Sequence, residues 1–163
     1  MKFEGKTAIV TGGSRDIGRA ISVKLASEGA NVVVNYFSNE EDADATLAAI
    51  EAAGGGKAIK VKADVTKAGE VADLVAAARD AFGDAIHILV NNAGGLVARK
   101  TLSEMDEEFF NHVMQLNVTS TFLATQAVVP HMGEGSAVIN LASLAGRVGG
   151  GGVVCIYTFD ESH

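Results

Sequence analysis

The segment Thr11–Gly18 combines three glycines with hydroxyl and charged side chains, in an order suited to phosphate binding. It follows a short apolar strand predicted over residues 6–10, and it precedes a stretch with apolar residues at helical spacing. Glycines let the backbone approach a pyrophosphate closely, and a helix N-terminus offers free N–H groups and a positive dipole end. A strand, a glycine turn and a helix in this order therefore predict a dinucleotide-binding site.

Asp16 departs from this pattern, because it places a carboxylate where a glycine is expected. In one interpretation its charge repels a bound phosphate. In the other its side chain caps the helix predicted to begin at Ile17, a role that Asp fills well. The two interpretations are compatible, and a loss of about 1–2 kcal/mol in cofactor binding is within the range of helix-dipole effects.

Length and composition limit the possible classes of protein. The chain has 163 residues, of which 48% are apolar and 20% charged, as expected for one globular domain with a buried core. Its net charge of −7 argues against a nucleic-acid partner. No apolar stretch approaches the roughly 20 residues of a membrane span, and the N-terminus has no apolar signal region, so we expect a cytoplasmic protein.

The sequence predicts neither a disulfide nor a metal site. Cys155 is the single cysteine, and its apolar surroundings favour a small buried or tail residue over a nucleophile. The four histidines show no ligand spacing and are predicted to be surface or packing residues.

Apolar strands and amphipathic helices alternate along the chain as far as Leu141. Strands are predicted near residues 6–10, 32–34, 57–63, 86–90 and 136–141. Gly29 is predicted to end the first helix, and Asn39 and Thr66 to cap the second and third. A capping box over residues 103–106 is predicted to start a long helix that stops near Pro130.

Strands separated by helices of this length predict an α/β fold with a parallel sheet and right-handed crossovers. We expect a doubly wound, Rossmann-like sheet in the order 3-2-1-4-5. Ligands of such sheets bind at the carboxyl ends of the strands. Residues at these predicted strand ends should therefore line one edge of the sheet: Thr11, Asn35, Asp64, Asn91 and Ser143.

These motifs resemble those of the short-chain dehydrogenase/reductase family, in particular bacterial 3-oxoacyl-carrier-protein reductases and glucose or sugar-alcohol dehydrogenases. The resemblance covers about residues 2–152 and rests on five motifs in the expected order. They are the glycine turn, Asp64-Val65, Asn-Asn-Ala-Gly at 91–94, Asn117, and Leu-Ala-Ser-Leu-Ala-Gly-Arg around Ser143.

The resemblance implies a role for each matching residue. Asn117 would hold a water in a proton relay, Ser143 would hydrogen-bond the substrate carbonyl, and Tyr157 lies at the spacing of the catalytic tyrosine. Taken singly, Asp64, Asn117 and Ser143 each also fit an ordinary loop, cap or helix position. The cofactor-binding residues implied are Gly12, Ser14, Arg15, Ile17, Gly18, Asp64, Val65, Asn92, Ala93 and Gly94.

The cofactor is predicted to be NADP, with NAD as the alternative. The predicted end of the second strand, residues 35–38, holds no acid that would bond the ribose hydroxyls of NAD. Arg15 lies where family members often hold the extra phosphate of NADP. The second arginine often seen at the position of Phe37 is absent, which leaves NAD open.

The C-terminal region departs from the family. The resemblance implies a lysine four residues after Tyr157, which would lower the tyrosine pKa, whereas the sequence has Glu161. We therefore expect a dinucleotide-binding domain over residues 1–148, a divergent glycine-rich tail over 149–163, and no counterpart of the family's C-terminal strands. Tyr157 then either fills the catalytic position or matches it by coincidence, and a frameshift or truncation explains the tail.

Three functions remain open on the sequence. The first is NADP(H)-linked interconversion of a ketone and a secondary alcohol, with a 3-oxoacyl or sugar-type small molecule as substrate. The second is a cofactor-binding module without turnover, and the third is an inert fragment. A homo-oligomer is expected, because an unpaired apolar fifth strand invites self-association.

Overall fold

Five short strands form a parallel sheet in the computed structural model, which describes residues 1–144. They are β1 (Thr7–Val10), β2 (Asn31–Tyr36), β3 (Ala58–Lys62), β4 (Ile88–Asn91) and β5 (Ala137–Asn140). The observed order β3-β2-β1-β4-β5 confirms the predicted doubly wound topology. The predicted tail over 149–163, with Tyr157 and Glu161, lies outside the described residues.

Helices cover the two faces of this sheet and create two apolar clusters. Alternate residues of a strand point to opposite faces, so β1 sends Ile9 into one cluster and Val10 into the other. This burial on both faces explains the continuous apolar runs in the sequence. The helices are α1 (Asp16–Ser27), α2 (Glu40–Ala53), α3 (Ala68–Phe82), α4 (Glu107–Met114) and α5 (Ser120–Val128).

Two of the predicted helix ends are confirmed. The Asn39 side chain accepts hydrogen bonds from the backbone N–H groups of Glu41 and Asp42, which caps α2. Gly29 follows α1 with φ +98°, and its N–H donates to the carbonyl of Ala26 at 2.8 Å. A residue with a side chain is strained in that conformation, which explains the glycine.

Two other predicted caps are wrong. The N-cap of α3 is Lys67 and not Thr66, because the Thr66 hydroxyl donates to the Asp64 carboxylate at 2.7 Å instead. The capping box lies on Thr101 and Glu104, where it closes a short 3-10 turn over Leu102–Glu104 and not the long helix. Asp106 caps α4 by accepting from the Phe109 N–H at 2.8 Å.

The long helix is continuous but contains a wide turn. A π-helical segment over Gln115–Thr119 joins α4 to α5, and a 3-10 turn over Val129–His131 ends the run at Pro130, as predicted. A π segment inserts an extra residue per turn and occurs often at functional sites. Asn117 lies in the middle of this segment.

The edge strand β5 differs from the interior strands. All four of its residues are exposed, whereas all four residues of β1 are buried. Val138 and Ile139 are 36% and 46% exposed. Over residues 1–144, no helix has the length and apolar character needed to cross a membrane.

Candidate functional site

A cleft of about 770 Å³ opens at the carboxyl ends of the first four strands, a size typical of small-molecule and cofactor sites. The cleft brings together residues from the glycine turn, the end of β3 and the loop after β4. It contains every one of the ten residues that the resemblance assigned to the cofactor: Gly12, Ser14, Arg15, Ile17, Gly18, Asp64, Val65, Asn92, Ala93 and Gly94.

The glycines of the turn allow a backbone approach that other residues would prevent. Gly12 has φ +58°, and a Cβ added to it would lie 3.1 Å from the Ala93 Cα and 3.2 Å from the Asn92 amide nitrogen. A Cβ on Gly18 would collide with the carbonyl oxygen of Gly12. The turn is therefore a close-fitting cradle of backbone, which is the shape that a pyrophosphate requires.

Asn35 joins the ends of β1, β2 and β3 through its side chain. It is 2% exposed; its amide oxygen accepts from the Gly12 N–H at 3.0 Å and its amide nitrogen donates to the Ala63 carbonyl at 3.0 Å. Asn35 was expected at this edge of the sheet as a strand-end residue, but its role in joining three strands was not predicted. A polar residue in a buried run at a strand end was the available signal, because a buried amide needs partners.

Thr11 and Asn92 fix the loop after β4 against the glycine turn. The Thr11 hydroxyl accepts from the N–H groups of Asn92 and Ala93, each at 3.0 Å. The Asn92 amide donates to the carbonyls of Thr11 and Gly12, each at 2.9 Å. Thr11 is 2% exposed and directly follows β1 at the carboxyl edge of the sheet, but it is not among the residues that line the cleft.

Asp64 lies in the cleft but is also held by its neighbours. One carboxylate oxygen accepts from the Thr66 N–H at 2.9 Å and from its hydroxyl at 2.7 Å. The Asp64 N–H donates to the Glu70 carboxylate at 2.6 Å. A carboxylate has about four acceptor positions, so Asp64 keeps the capacity to accept a further donor from a ligand.

The structure overturns one interpretation of Asp16. Arg15 occupies the N-cap position of α1, and Asp16 is the first residue of the helix. Among the described residues 1–144, no side chain caps α1 with a hydrogen bond. Asp16 has φ +47°, a conformation that favours glycine. Its carboxylate lies 3.8 Å from the Arg15 Nε, and both side chains are mostly exposed. The negative charge therefore sits beside the one arginine that the cleft presents.

Several residues of the cleft were not predicted to belong to it, among them Asp42, His112 and Leu116. Asp42 lines the cleft from α2, and its carboxylate accepts from the Asn39 amide at 2.8 Å. Asp42 lies in the first turn of α2, and its carboxylate also pairs with Arg19 at 3.4 Å. His112 and Leu116 line the opposite side, from α4 and the π segment. Helix positions so far from the strand ends gave no signal in the sequence.

Asn117 ties the π segment to the loop after β4. Its amide nitrogen donates to the carbonyls of Gly95 and Val113, each at 2.9 Å, and its oxygen accepts from the Gly95 N–H at 2.9 Å. A Cβ on Gly94 would lie 2.7 Å from the same oxygen. Both side-chain donors of Asn117 are therefore used within the protein, so a relay water would have to donate to one of its oxygens.

Asn91 connects β4 to the next strand and helix. It is 4% exposed, and its amide nitrogen donates to the Asn140 side chain at 2.8 Å and to the Thr125 hydroxyl at 3.1 Å. It is the last residue of β4, at the expected edge of the sheet, but like Thr11 it is not among the residues that line the cleft. Ser143 follows β5 and is half-buried, but it is not among the residues that line the cleft.

Histidines and acids do not form a metal centre in the part of the chain that the structure describes. No group of three or more potential ligands comes together among residues 1–144. His87 instead joins two strands, because its Nδ1 accepts from the Thr7 N–H at 3.1 Å. Burial, and secondarily the charge of Lys6, lower the pKa of His87.

The family described as short chain dehydrogenase matches residues 6–158 of the chain. Two similar proteins are an uncharacterized oxidoreductase of Methylorubrum extorquens, 48% identical over 88% of the chain, and a 3-oxoacyl-[acyl-carrier-protein] reductase of Synechocystis, 43% identical over 90%. The chain spans 56% and 59% of the length of these two relatives.

Solved structures agree with the fold. An NADH-dependent reductase complexed with NAD matches 94% of the chain and 65% of its own, with a TM-score of 0.86 and 37% identity. A short chain dehydrogenase from Burkholderia cenocepacia, in complex with NADP, matches 94% of the chain and 61% of its own, with a TM-score of 0.87 and 35% identity.

Proposed function

This chain belongs to the short chain dehydrogenase family, and from that premise we propose that it binds a nicotinamide dinucleotide in the cleft beside Gly12. The observation that supports this proposal most is the convergence of ten family positions on one cleft. The glycine turn offers its backbone to the pyrophosphate, Asp64 accepts from the adenine amino group with Val65 beside it, and residues 92–94 form a wall. NADP is the preferred cofactor because Arg15 faces the same cleft.

The reaction we propose is the interconversion of a ketone and a secondary alcohol, on a 3-oxoacyl or sugar-type substrate. The bound nicotinamide would supply the hydride that the carbonyl carbon receives. Ser143 donates a hydrogen bond to the carbonyl oxygen, Tyr157 delivers the proton that turns this oxygen into a hydroxyl, and Asn117 orders the water that leads to Tyr157. The family match extends to residue 158, past the end expected near residue 152, and this supports Tyr157 as a family position.

A cofactor-binding module without turnover is the second candidate. Glu161 stands where the resemblance implies a lysine, and a carboxylate does not lower the pKa of a neighbouring tyrosine as an ammonium group does. The homo-oligomer and the cytoplasmic location stay predictions.

Titration with NADPH and NADH, followed by nicotinamide fluorescence, tests the binding proposal. We expect saturable binding to the intact chain and none to Gly18→Ala, because the new Cβ displaces the Gly12 carbonyl from the cradle. Gly69→Ala is the matched control: Gly69 lies in α3, and an added Cβ would meet nothing within 4 Å. Absence of saturable binding to the unaltered chain contradicts the proposal and favours an inert fragment.

Turnover separates the enzyme from the module. A generic keto ester with NADPH should be reduced if Ser143 and Tyr157 act as proposed. Saturable binding without turnover identifies the module, and Glu161→Lys is then the variant expected to gain activity.

A further inference from the structure

We infer that Arg19, with Thr46, is a positioning residue that holds the Ser14–Arg15 peptide so that its N–H faces the phosphate site. The inference rests on the proposed function, since it supposes that a pyrophosphate occupies the cleft. Neither Arg19 nor Thr46 lines that cleft. Any effect on a ligand therefore passes through the groups that they hold, which are the Ser14 carbonyl and Asp42.

The carbonyl oxygen of Ser14 accepts three hydrogen bonds from side chains of two different helices. Arg19 on α1 donates to it from Nη2 at 3.0 Å and from Nε at 3.2 Å. Thr46 on α2 donates to it from its hydroxyl at 2.7 Å. One peptide oxygen in the glycine turn is thus the meeting point of both helices that cover this face of the sheet.

The donors are themselves held in place. Arg19 Nε also bonds the Thr46 hydroxyl at 2.9 Å, and Nη2 bonds the Asp42 carbonyl at 3.1 Å and its carboxylate at 3.4 Å. Thr46 is fully buried, at 0% exposure. The planar guanidinium can serve these acceptors together because its N–H groups form a rigid fork, which a lysine lacks.

The direction of the Ser14 carbonyl decides where the next N–H points. The peptide bonds of residues 1–144 are all trans, and in a planar trans peptide the C=O and the N–H point in opposite directions. The carbonyl of Ser14 points towards Arg19 and Thr46, so the N–H of Arg15 points away from them. The opposite orientation would turn a carbonyl oxygen towards an anion, which is electrostatically unfavourable.

The test compares the affinities of two ligands, one with a pyrophosphate and one without. ADP-ribose carries the pyrophosphate, whereas adenosine shares its adenine and ribose but has none. Amide NMR titrations of the full chain measure both affinities and also report the Arg15 N–H directly. We expect Arg19→Lys to weaken ADP-ribose about tenfold, as for one charge-assisted hydrogen bond, and to leave adenosine unchanged.

Further variants separate positioning from general stability. Thr46→Val removes the hydroxyl and should weaken ADP-ribose a few-fold, whereas Thr46→Ser restores the hydroxyl and should restore the affinity. Arg79→Lys is the matched control, because Arg79 is 38% exposed, close to the 35% of Arg19, and pairs with Asp84 at 2.7 Å outside the cleft. It should change neither affinity.

Three results overturn the inference. An unchanged affinity of Arg19→Lys for ADP-ribose shows that the clamp does not aim the peptide. An equal loss for both ligands shows that Arg19 only supports the fold. An unaltered chain that binds no ADP-ribose removes the proposed function as well, and so differs from the first two results, in which the unaltered chain binds.

Discussion

The carboxyl edge of the sheet is built differently at β1 and at β5, although both strands pair with residues of β4. We call these two places the β1 end and the β5 end. At the β1 end every strand residue is buried, and the turn that follows donates to the Asn35 side chain and accepts from those of Asn92 and Arg19. At the β5 end every strand residue is exposed, and Ser143 is not among the residues that line the cleft.

This difference separates cofactor binding from catalysis in physical terms. The ten proposed cofactor residues all lie within residues 1–144, together with the hydrogen-bond partners described for the phosphate cradle. The proposed catalytic half joins Ser143 to Tyr157, which lies outside those residues. The residues proposed for cofactor binding therefore differ from those proposed for turnover. Variants at the β1 end and variants at the β5 end can test the two proposals separately.

The largest expected effect comes from equal deletions on neighbouring strands. Leu89 in β4 is fully buried, so Leu89→Ala should lower the free energy of unfolding by about 3 kcal/mol through lost burial and a residual cavity. Ile139 in β5 is 46% exposed, so Ile139→Ala should cost about 1 kcal/mol or less. Urea denaturation followed by circular dichroism measures both.

Similar losses of unfolding free energy in Leu89→Ala and Ile139→Ala would contradict the difference in burial between β4 and β5. They would show that β5 is covered in solution, as the expected oligomer would cover it. Repeating the denaturation at several protein concentrations checks this point, because an interface makes the midpoint depend on concentration.

The interior strands and their order could be predicted because burial on both faces leaves continuous apolar runs, and helices between strands impose parallel pairing. The helix ends were harder. Thr66 has the chemistry of a cap, but its hydroxyl is used by Asp64. Such caps depend on which nearby group the hydroxyl bonds. The three-dimensional geometry decides this, and residue spacing in the sequence does not.

The candidate site was predictable at its glycines and not at its supports. Gly12 and Gly18 belong to a local pattern of a few residues. Asn35 bonds Gly12 and Ala63, 23 and 28 positions away. Arg19 bonds nearby Ser14, but the groups that hold its guanidinium, Asp42 and Thr46, are 23 and 27 positions away. Contacts over that distance leave no periodic signal, so the sequence identified the cradle and missed what holds it.

A smaller effect is expected at Asp16, which begins α1 directly after the turn that follows β1. Asp16→Gly should tighten NADPH binding by about 1–2 kcal/mol, because it removes a charge at a helix N-terminus and a side chain at φ +47°. Asp16→Asn removes the charge and keeps the strain, so it separates the two causes. Fluorescence titration at low salt measures both variants.

If charge dominates, Asp16→Asn should recover most of the gain, and the gain should shrink as salt screens it. If strain dominates, only Asp16→Gly should improve, with a matching rise in the free energy of unfolding. Weaker or unchanged NADPH binding in Asp16→Gly would contradict the repulsion argument.

The smallest expected effect is a pH dependence at His87, which precedes β4 and joins the amino ends of β1 and β5, at the edge of the sheet opposite the cleft. Its Nδ1 accepts from the Thr7 N–H at 3.1 Å on the β1 side, and its carbonyl accepts from the Ala137 N–H at 2.9 Å on the β5 side. Burial lowers the pKa of His87 below its usual 6.5, so the folded state favours neutral imidazole. Protonation would also place a donor opposite the Thr7 N–H.

Because the unfolded chain takes up this proton first, stability from His87 is complete above pH 6.5 and is lost as the pH falls below that value. Urea midpoints between pH 8 and 5 should therefore decline less in His87→Asn, which keeps an acceptor that does not titrate. His131→Asn, in the turn after α5, is the control and should follow the unaltered chain. An identical decline in all three proteins would show that the contacts of His87 with the amino ends of β1 and β5 do not respond to pH.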